Sequence, residues 1–164
     1  MVDLLGEGFD VAVRIGVLAD SSLIARRIAP MQVVLCCSPT CLQARKAPTT
    51  LADLATHDCL LYGHGPRVEW AFGGTAQKSL LVTGRYRANN GELLRDAAIQ
   101  GLGITQLPTF IAAPALARGE LVTVLDDFRP LANTVYAVYP QHRQSSLLVR
   151  LFVEFLQRNF VDSP

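Results

Sequence analysis

Residues 23–42 read LIARRIAPMQVVLCCSPTCL, and the parsing of this stretch decides the fold. Leu23 to Pro30 and Met31 to Cys37 are both β-rich, with Pro30 between them. A proline cannot donate to a strand ladder, so it predicts a break, with the two halves in different sheets. The second half runs into Ser38-Pro39, a hydroxyl cap followed by proline at the first helical position, which predicts a short helix over Thr40–Lys46. A strand feeding directly into a helix is the opening of an α/β unit.

Working outward, FDVAVRIG (9–16) alternates and then runs apolar, as a strand buried on both faces does, giving a strand over Phe9–Ile15. Val2–Gly6 reads as a helix end and GVLADSS (16–22) as a loop. Downstream, Thr50-x-x-Asp53 is a capping-box pattern with Asp for the usual Glu, opening a helix that ends near His57. Asp58–Tyr62 is a strand; Val68–Phe72 and Leu80–Arg87 are extended segments joined through Gly73-Gly74. Asn89-Asn90-Gly91 precedes a helix with Leu93, Leu94, Ala97 and Ala98 on one face, stopped by Gly101 and Gly103. Ile104–Leu107 is a strand, Phe110–Arg118 a helix, and Leu121–Leu125 and Thr134–Tyr139 are strands. Ser145 or Ser146 caps a last helix whose Leu148, Leu151, Phe152, Phe155 and Phe160 repeat at helical spacing. Strands alternating with helices, several apolar on both faces, predict an α/β chain with largely parallel sheets.

The 164 residues carry 15 basic and 14 acidic side chains, and 50% are apolar. That composition excludes disorder and fits one domain or two small lobes. A net charge of +1 gives no general attraction to a polyanion or an acidic membrane. Apolar runs such as Phe110–Ala117 fall far short of the roughly 20 residues of a membrane span. The start, MVDLLGEGFD, lacks the basic and then apolar plan of an export signal, so a cytoplasmic protein without disulfides is expected. Cys36, Cys37, Cys41 and Cys59 lack the paired spacing and partner histidines of a zinc site; buried thiols are the first reading, a redox sensor the second, a metal site the third.

In open α/β sheets, ligands bind beyond the carboxyl ends of strands, where helix N-termini present free N–H groups. Two such ends stand out, Cys37-Ser38-Pro39-Thr40 and Asn89-Asn90-Gly91; each is either a helix cap, the commoner role, or a set of ligand donors. Arg14, inside an apolar strand, must reach solvent, a carboxylate or an anionic ligand. Arg26-Arg27 and Arg85-x-Arg87 have no interleaved aromatics and read as solvated faces or ion pairs, not as a nucleic-acid platform. His57, His64 and His142 do not complete a set of nucleophile, base and orienting group, and no phosphate loop, nucleophile elbow or zinc-protease motif occurs. A binding module without metal or cofactor is therefore expected, not an enzyme.

Several stretches sharpen this expectation: VDLLGEGFDVAVRIG (2–16), SSLIARRIAP (21–30), VVLCCSPTCL (33–42), TLADLATHDCLLY (50–62), GRYRANNGELLRDAAIQGLGITQLP (84–108), LARGELVTVLDDF (116–128), VYAVYP (135–140) and VRLFVEFL (149–156). In this order and spacing the chain resembles the effector-binding domain of LysR-type transcriptional regulators. The resemblance implies two Rossmann-like α/β lobes of the type II periplasmic-binding-protein kind, joined by two crossovers. Lobe I would comprise residues 1–30 and 131–164 and lack its opening strand, helix and strand; lobe II would comprise 31–130. A sheet so shortened would expose an apolar edge and face. The resemblance also implies that the DNA-binding head of the family is absent from this chain, that the domains pair as homodimers or tetramers, and that a small effector is held between the lobes. Arg14, Gly16 and Val138 would contact it from lobe I; Cys37, Ser38, Thr40, Asn89, Asn90 and Gly91 from lobe II, converging on one cavity. Arg14 and two helix ends with few competing acids suggest a small carboxylate or other anion. The alternative is a periplasmic-type solute-binding protein of the same architecture.

Overall fold

The computed structural model describes residues 8–16, 23–73 and 78–160; the helix end expected at Val2–Gly6 and most of the 16–22 loop lie outside these. In chain order the elements are β1 (Ala12–Ile15), β2 (Leu23–Met31), β3 (Val33–Cys37), α1 (Pro39–Ala44), a 3-10 helix (Leu51–Thr56), β4 (Cys59–Tyr62), β5 (Arg67–Phe72) and β6 (Lys78–Thr83). There follow β7 (Tyr86–Ala88), α2 (Gly91–Ile99), β8 (Ile104–Pro108), α3 (Thr109–Ala117), β9 (Val122–Thr123), β10 (Asn133–Pro140), a 3-10 turn (Gln141–Arg143) and α4 (Leu147–Asn159). The chain divides into two compact units, Met1–Met31 with Ala132–Pro164, and Gln32–Leu131.

In the first unit, β1, β10 and β2 form an antiparallel sheet in that order, with Arg14 opposite Tyr136 and Tyr139 opposite Ile24. The expected strand at Phe9 is shorter, beginning at Ala12. Pro30 does not end β2: it pairs with Thr134, and the break falls at Gln32. Among the described residues β2 is an edge strand, where a missing N–H donor faces outward and costs no ladder bond. The separation into different sheets nevertheless holds, because β3 belongs to the second unit's sheet.

Ser146 caps α4, its Oγ accepting from Val149 N at 3.5 Å. The face that α4 buries is not the expected one. Val149 and Val153 are buried, whereas Leu148 is 79% and Phe155 59% exposed. Val149, Val153 and Gln157 form one i, i+4 row, and Gln157 Nε2 donates to Arg27 O at 2.8 Å, which fixes the helix azimuth against β2. A helix with more apolar residues than one face can bury must leave some outside, and here these are Leu147, Leu148, Leu151, Phe152 and Phe155, followed by Phe160 at the C-cap. Val13 and Ile15 on β1 are also about half exposed.

The second unit holds a five-stranded sheet in the order β7-β4-β8-β3-β9 and a separate β5-β6 hairpin. The expectation of largely parallel sheets is corrected: only β4 runs parallel to its neighbours β7 and β8, while β3 is antiparallel to β8 and β9. Burial on both faces is common to parallel strands and to any strand covered on two sides, and this sheet is covered on both. Leu35, Cys37, Cys59 and Leu61 pack with Trp70 and Phe72 of the hairpin. Cys36 and Leu60, one residue out of phase, pack with Leu94, Ala98 and Ala112 of the helices. The expected segment Leu80–Arg87 splits at Gly84 into β6 and β7, because the Gly84 backbone passes so close to the Cys59 carbonyl that a side chain would collide with it.

Candidate functional site

β4, β7 and β8 run parallel, so their carboxyl ends, Tyr62, Ala88 and Pro108, share one edge of the sheet. α2 starts there. Asn90, in an extended conformation, is its N-cap: Oδ1 accepts from Glu92 N at 2.7 Å and from Leu93 N at 3.4 Å. Asn89 and Asn90 are exposed, while Gly91 is buried. A Cβ on Gly91 would come within 2.6 Å of Ile111 Cδ1, so glycine here seats α2 on α3. Gly63 N donates to Ala88 O at 2.9 Å, binding the turn after β4 to the end of β7. Tyr62 and Phe110, 57% and 59% exposed, stand on the same edge. Tyr62 as the last residue of β4 and Phe110 in the first turn after β8 carry the signal by which sequence reasoning could have found them.

The second expected donor set lies elsewhere. β3 runs against β8, with Cys36 opposite Thr105, so its carboxyl end points to the opposite edge of the sheet. Ser38 caps α1, with Oγ accepting from Cys41 N at 3.3 Å and lying 2.8 Å from Thr40 Oγ1. Both hydroxyls sit by Gly101: a Cβ there would be 3.1 Å from Thr40 Oγ1. Gly101 follows the carboxyl end of α2, whose nine residues span about 13 Å. Ser38 and Thr40 therefore do not converge with Asn89, Asn90 and Gly91. The sequence carries the cap but not the strand direction, and direction decides the edge. Ser38 is 2% exposed and Cys37 fully buried, so neither offers a surface to a solute.

In the first unit, Arg14 is half-buried on β1. Gly16 takes φ of 97° and its N–H donates to Thr134 O at 3.0 Å. Val138 is 2% exposed, paired with both neighbouring strands, and is a core residue of the sheet. His57 is held structurally, with Nδ1 2.9 Å from Asp53 O and Nε2 3.0 Å from Lys46 O. Burial pushes the Cys36, Cys37 and Cys59 thiols up to about 12. Among the described residues no acid, histidine and cysteine group is arranged to hold a metal ion, and no helix is long and apolar enough to cross a membrane. A groove of about 460 Å³ opens along the start of β3, lined by Gln32, Val33, Asp126, Phe128 and Arg129 among others. It is separated from Asn89 by three strand spacings, roughly 14 Å.

Comparison with known proteins adds to this geometry. The profile of the family described as LysR substrate binding domain matches residues 1–161. An uncharacterized HTH-type transcriptional regulator of Haemophilus influenzae is 35% identical over 150 residues, which are 90% of this chain and 52% of that protein. The HTH-type transcriptional regulator DmlR of Escherichia coli is 34% identical over 165 residues, 99% of this chain and 53% of its own length. The chain thus spans about half the length of the curated relatives it matches. Among solved structures, the regulatory domain of CrgA from Neisseria meningitidis superposes with a TM-score of 0.78 at 28% identity, covering 94% of this chain and 76% of that one.

Proposed function

The chain belongs to the LysR substrate-binding domain family, and from that premise we propose that it is the ligand-sensing part of a transcriptional regulator whose effector is a small organic anion. The observation that carries the anion reading is the start of α2 at the carboxyl edge of β4, β7 and β8. There the exposed Asn89 and Asn90 lie on the same edge of the sheet as the exposed aromatic side chains of Tyr62 and Phe110. Amide donors at a helix N-terminus suit a carboxylate, and the aromatic surfaces suit an apolar body. Arg14 remains a candidate contact of the first unit. The names of the relatives, regulators of the helix-turn-helix type, support a regulatory role over solute transport or catalysis.

In this reading the effector changes no covalent bond. It acts because it binds one conformation of the domain better than another, and it can shift the balance only by that difference in affinity. In the full-length regulator, DNA would be contacted by residues outside this chain, and homodimers or tetramers would carry the shift to them. Titrating the chain with a panel of small organic acids while following Tm tests the proposal. A ligand at 100 times its Kd adds about 2.7 kcal/mol of stability. Stabilisation by neutral or cationic compounds alone would defeat the anion reading.

A further inference from the structure

The first unit holds a cavity of about 240 Å³ lined by residues of α4, β2 and β10. Buried Tyr139, Val149 and Val153 line it, together with the two exposed arginines Arg26 and Arg150. Gln144, Gln157 and Glu154 complete the lining. Among the described residues neither arginine has an ion-pair partner. Glu154 lies 3.8 Å from Arg158, its partner at i, i+4; Arg150 precedes Glu154, the less favourable order for such a pair. Both arginine side chains line this one cavity, and an anion in it can accept charge-assisted hydrogen bonds from each.

We propose that this cavity is a second ligand site, for a small monocarboxylate with an apolar body. The carboxylate lies between Arg26 and Arg150, and the body rests on Val149, Val153 and the Tyr139 ring. The charged residues of the lining, Arg26, Arg150 and Glu154, sum to a single positive charge before any ligand binds, which matches a monoanion. The volume is below the range of about 300–1,000 Å³ that encloses drug-sized ligands, so the body is a single ring or a short branched chain. The Gln157 bond to Arg27 O, at 2.8 Å, holds the helix wall in place whether or not the site is filled. This site stands on residues of the first unit alone and does not depend on the reading of the α2 edge.

The test follows the Val149 and Val153 methyl resonances while the chain is titrated with phenylacetate, and with phenylacetamide as the uncharged analogue. Saturable shifts with phenylacetate, absent with phenylacetamide, are expected. Arg26→Gln and Arg150→Gln each weaken binding about fivefold, as the loss of one partly solvated charge does, with Tm unchanged. If phenylacetate leaves these methyls unmoved, if the amide moves them equally, or if both variants titrate like the parent chain, the site does not exist as described. The phenylacetamide comparison uses the unaltered chain and stands even if a variant folds poorly.

Discussion

Asn90 Oδ1 accepts the Glu92 amide at 2.7 Å, and this bond ties the candidate ligand edge to the stability of α2. Capping and ligand binding at Asn90 can be separated by substitution. Asn90→Ala removes the cap and costs about 1 kcal/mol. Asn90→Asp keeps an equally good cap, so Tm is expected to hold, but its new negative charge weakens binding of any organic anion there. Thermal melts with and without the anion check both; an Asp variant that binds as the parent does would remove Asn90 from the site.

The buried face of α4 provides a second test. Leu148→Ser changes a residue that is 79% exposed, and such a surface change is expected to stay within about 0.5 kcal/mol. Leu94→Ala removes a fully buried side chain from the α2 face and is expected to cost roughly 2–5 kcal/mol. Denaturant unfolding of both variants gives the comparison. A large loss at Leu148 would mean that the apolar stripe is buried after all.

Those two helices also mark how far the sequence is legible. The side-chain caps Ser38, Asn90 and Ser146 are readable, because a short polar side chain before an apolar run has one local purpose. The paired faces of the second unit's sheet are readable from β3 and β4, apolar at every position. In α2, Leu94, Ala97 and Ala98 are buried as expected, while Leu93 is 52% exposed. What the sequence does not carry is long-range. The azimuth of α4 depends on which row meets β2, and apolar residues nearly all round the helix leave that open. The edge on which a cap ends depends on strand direction, which put Ser38 opposite Asn90. Pro30 marks the right region but not the break, since an edge position tolerates it.

Asp53 makes the acid stability of the second unit testable. Its carboxylate accepts from Thr49 N and Thr50 N at 2.8 Å each. These backbone bonds, Thr49 first, lower its pKa from 3.8 to about 2. A group whose folded pKa is depressed contributes fully above its unfolded pKa, and that contribution fades as the pH falls through the folded value. The difference in Tm between the parent chain and Asp53→Asn is therefore expected to be constant above pH 5 or thereabouts and to shrink on acidification toward pH 2. A difference independent of pH would show that the charge plays no part.

The raised thiol pKa values of Cys36, Cys37 and Cys59 predict that these groups are protonated at neutral pH and slow to react. Labelling with a thiol reagent at pH 8 is expected to reach them only as the chain unfolds, with Cys41, half-buried on α1, ahead of the others. Immediate modification of any of the three buried thiols would contradict their placement in the core.

The central claim is where the anion sits, and backbone amide chemical-shift mapping with the best-stabilising organic acid tests it most directly. Asn89, Gly91 and Glu92 are expected to shift most in the second unit and to saturate along one binding curve. Shifts confined to Ser38–Cys41, with the start of α2 silent, would contradict the account.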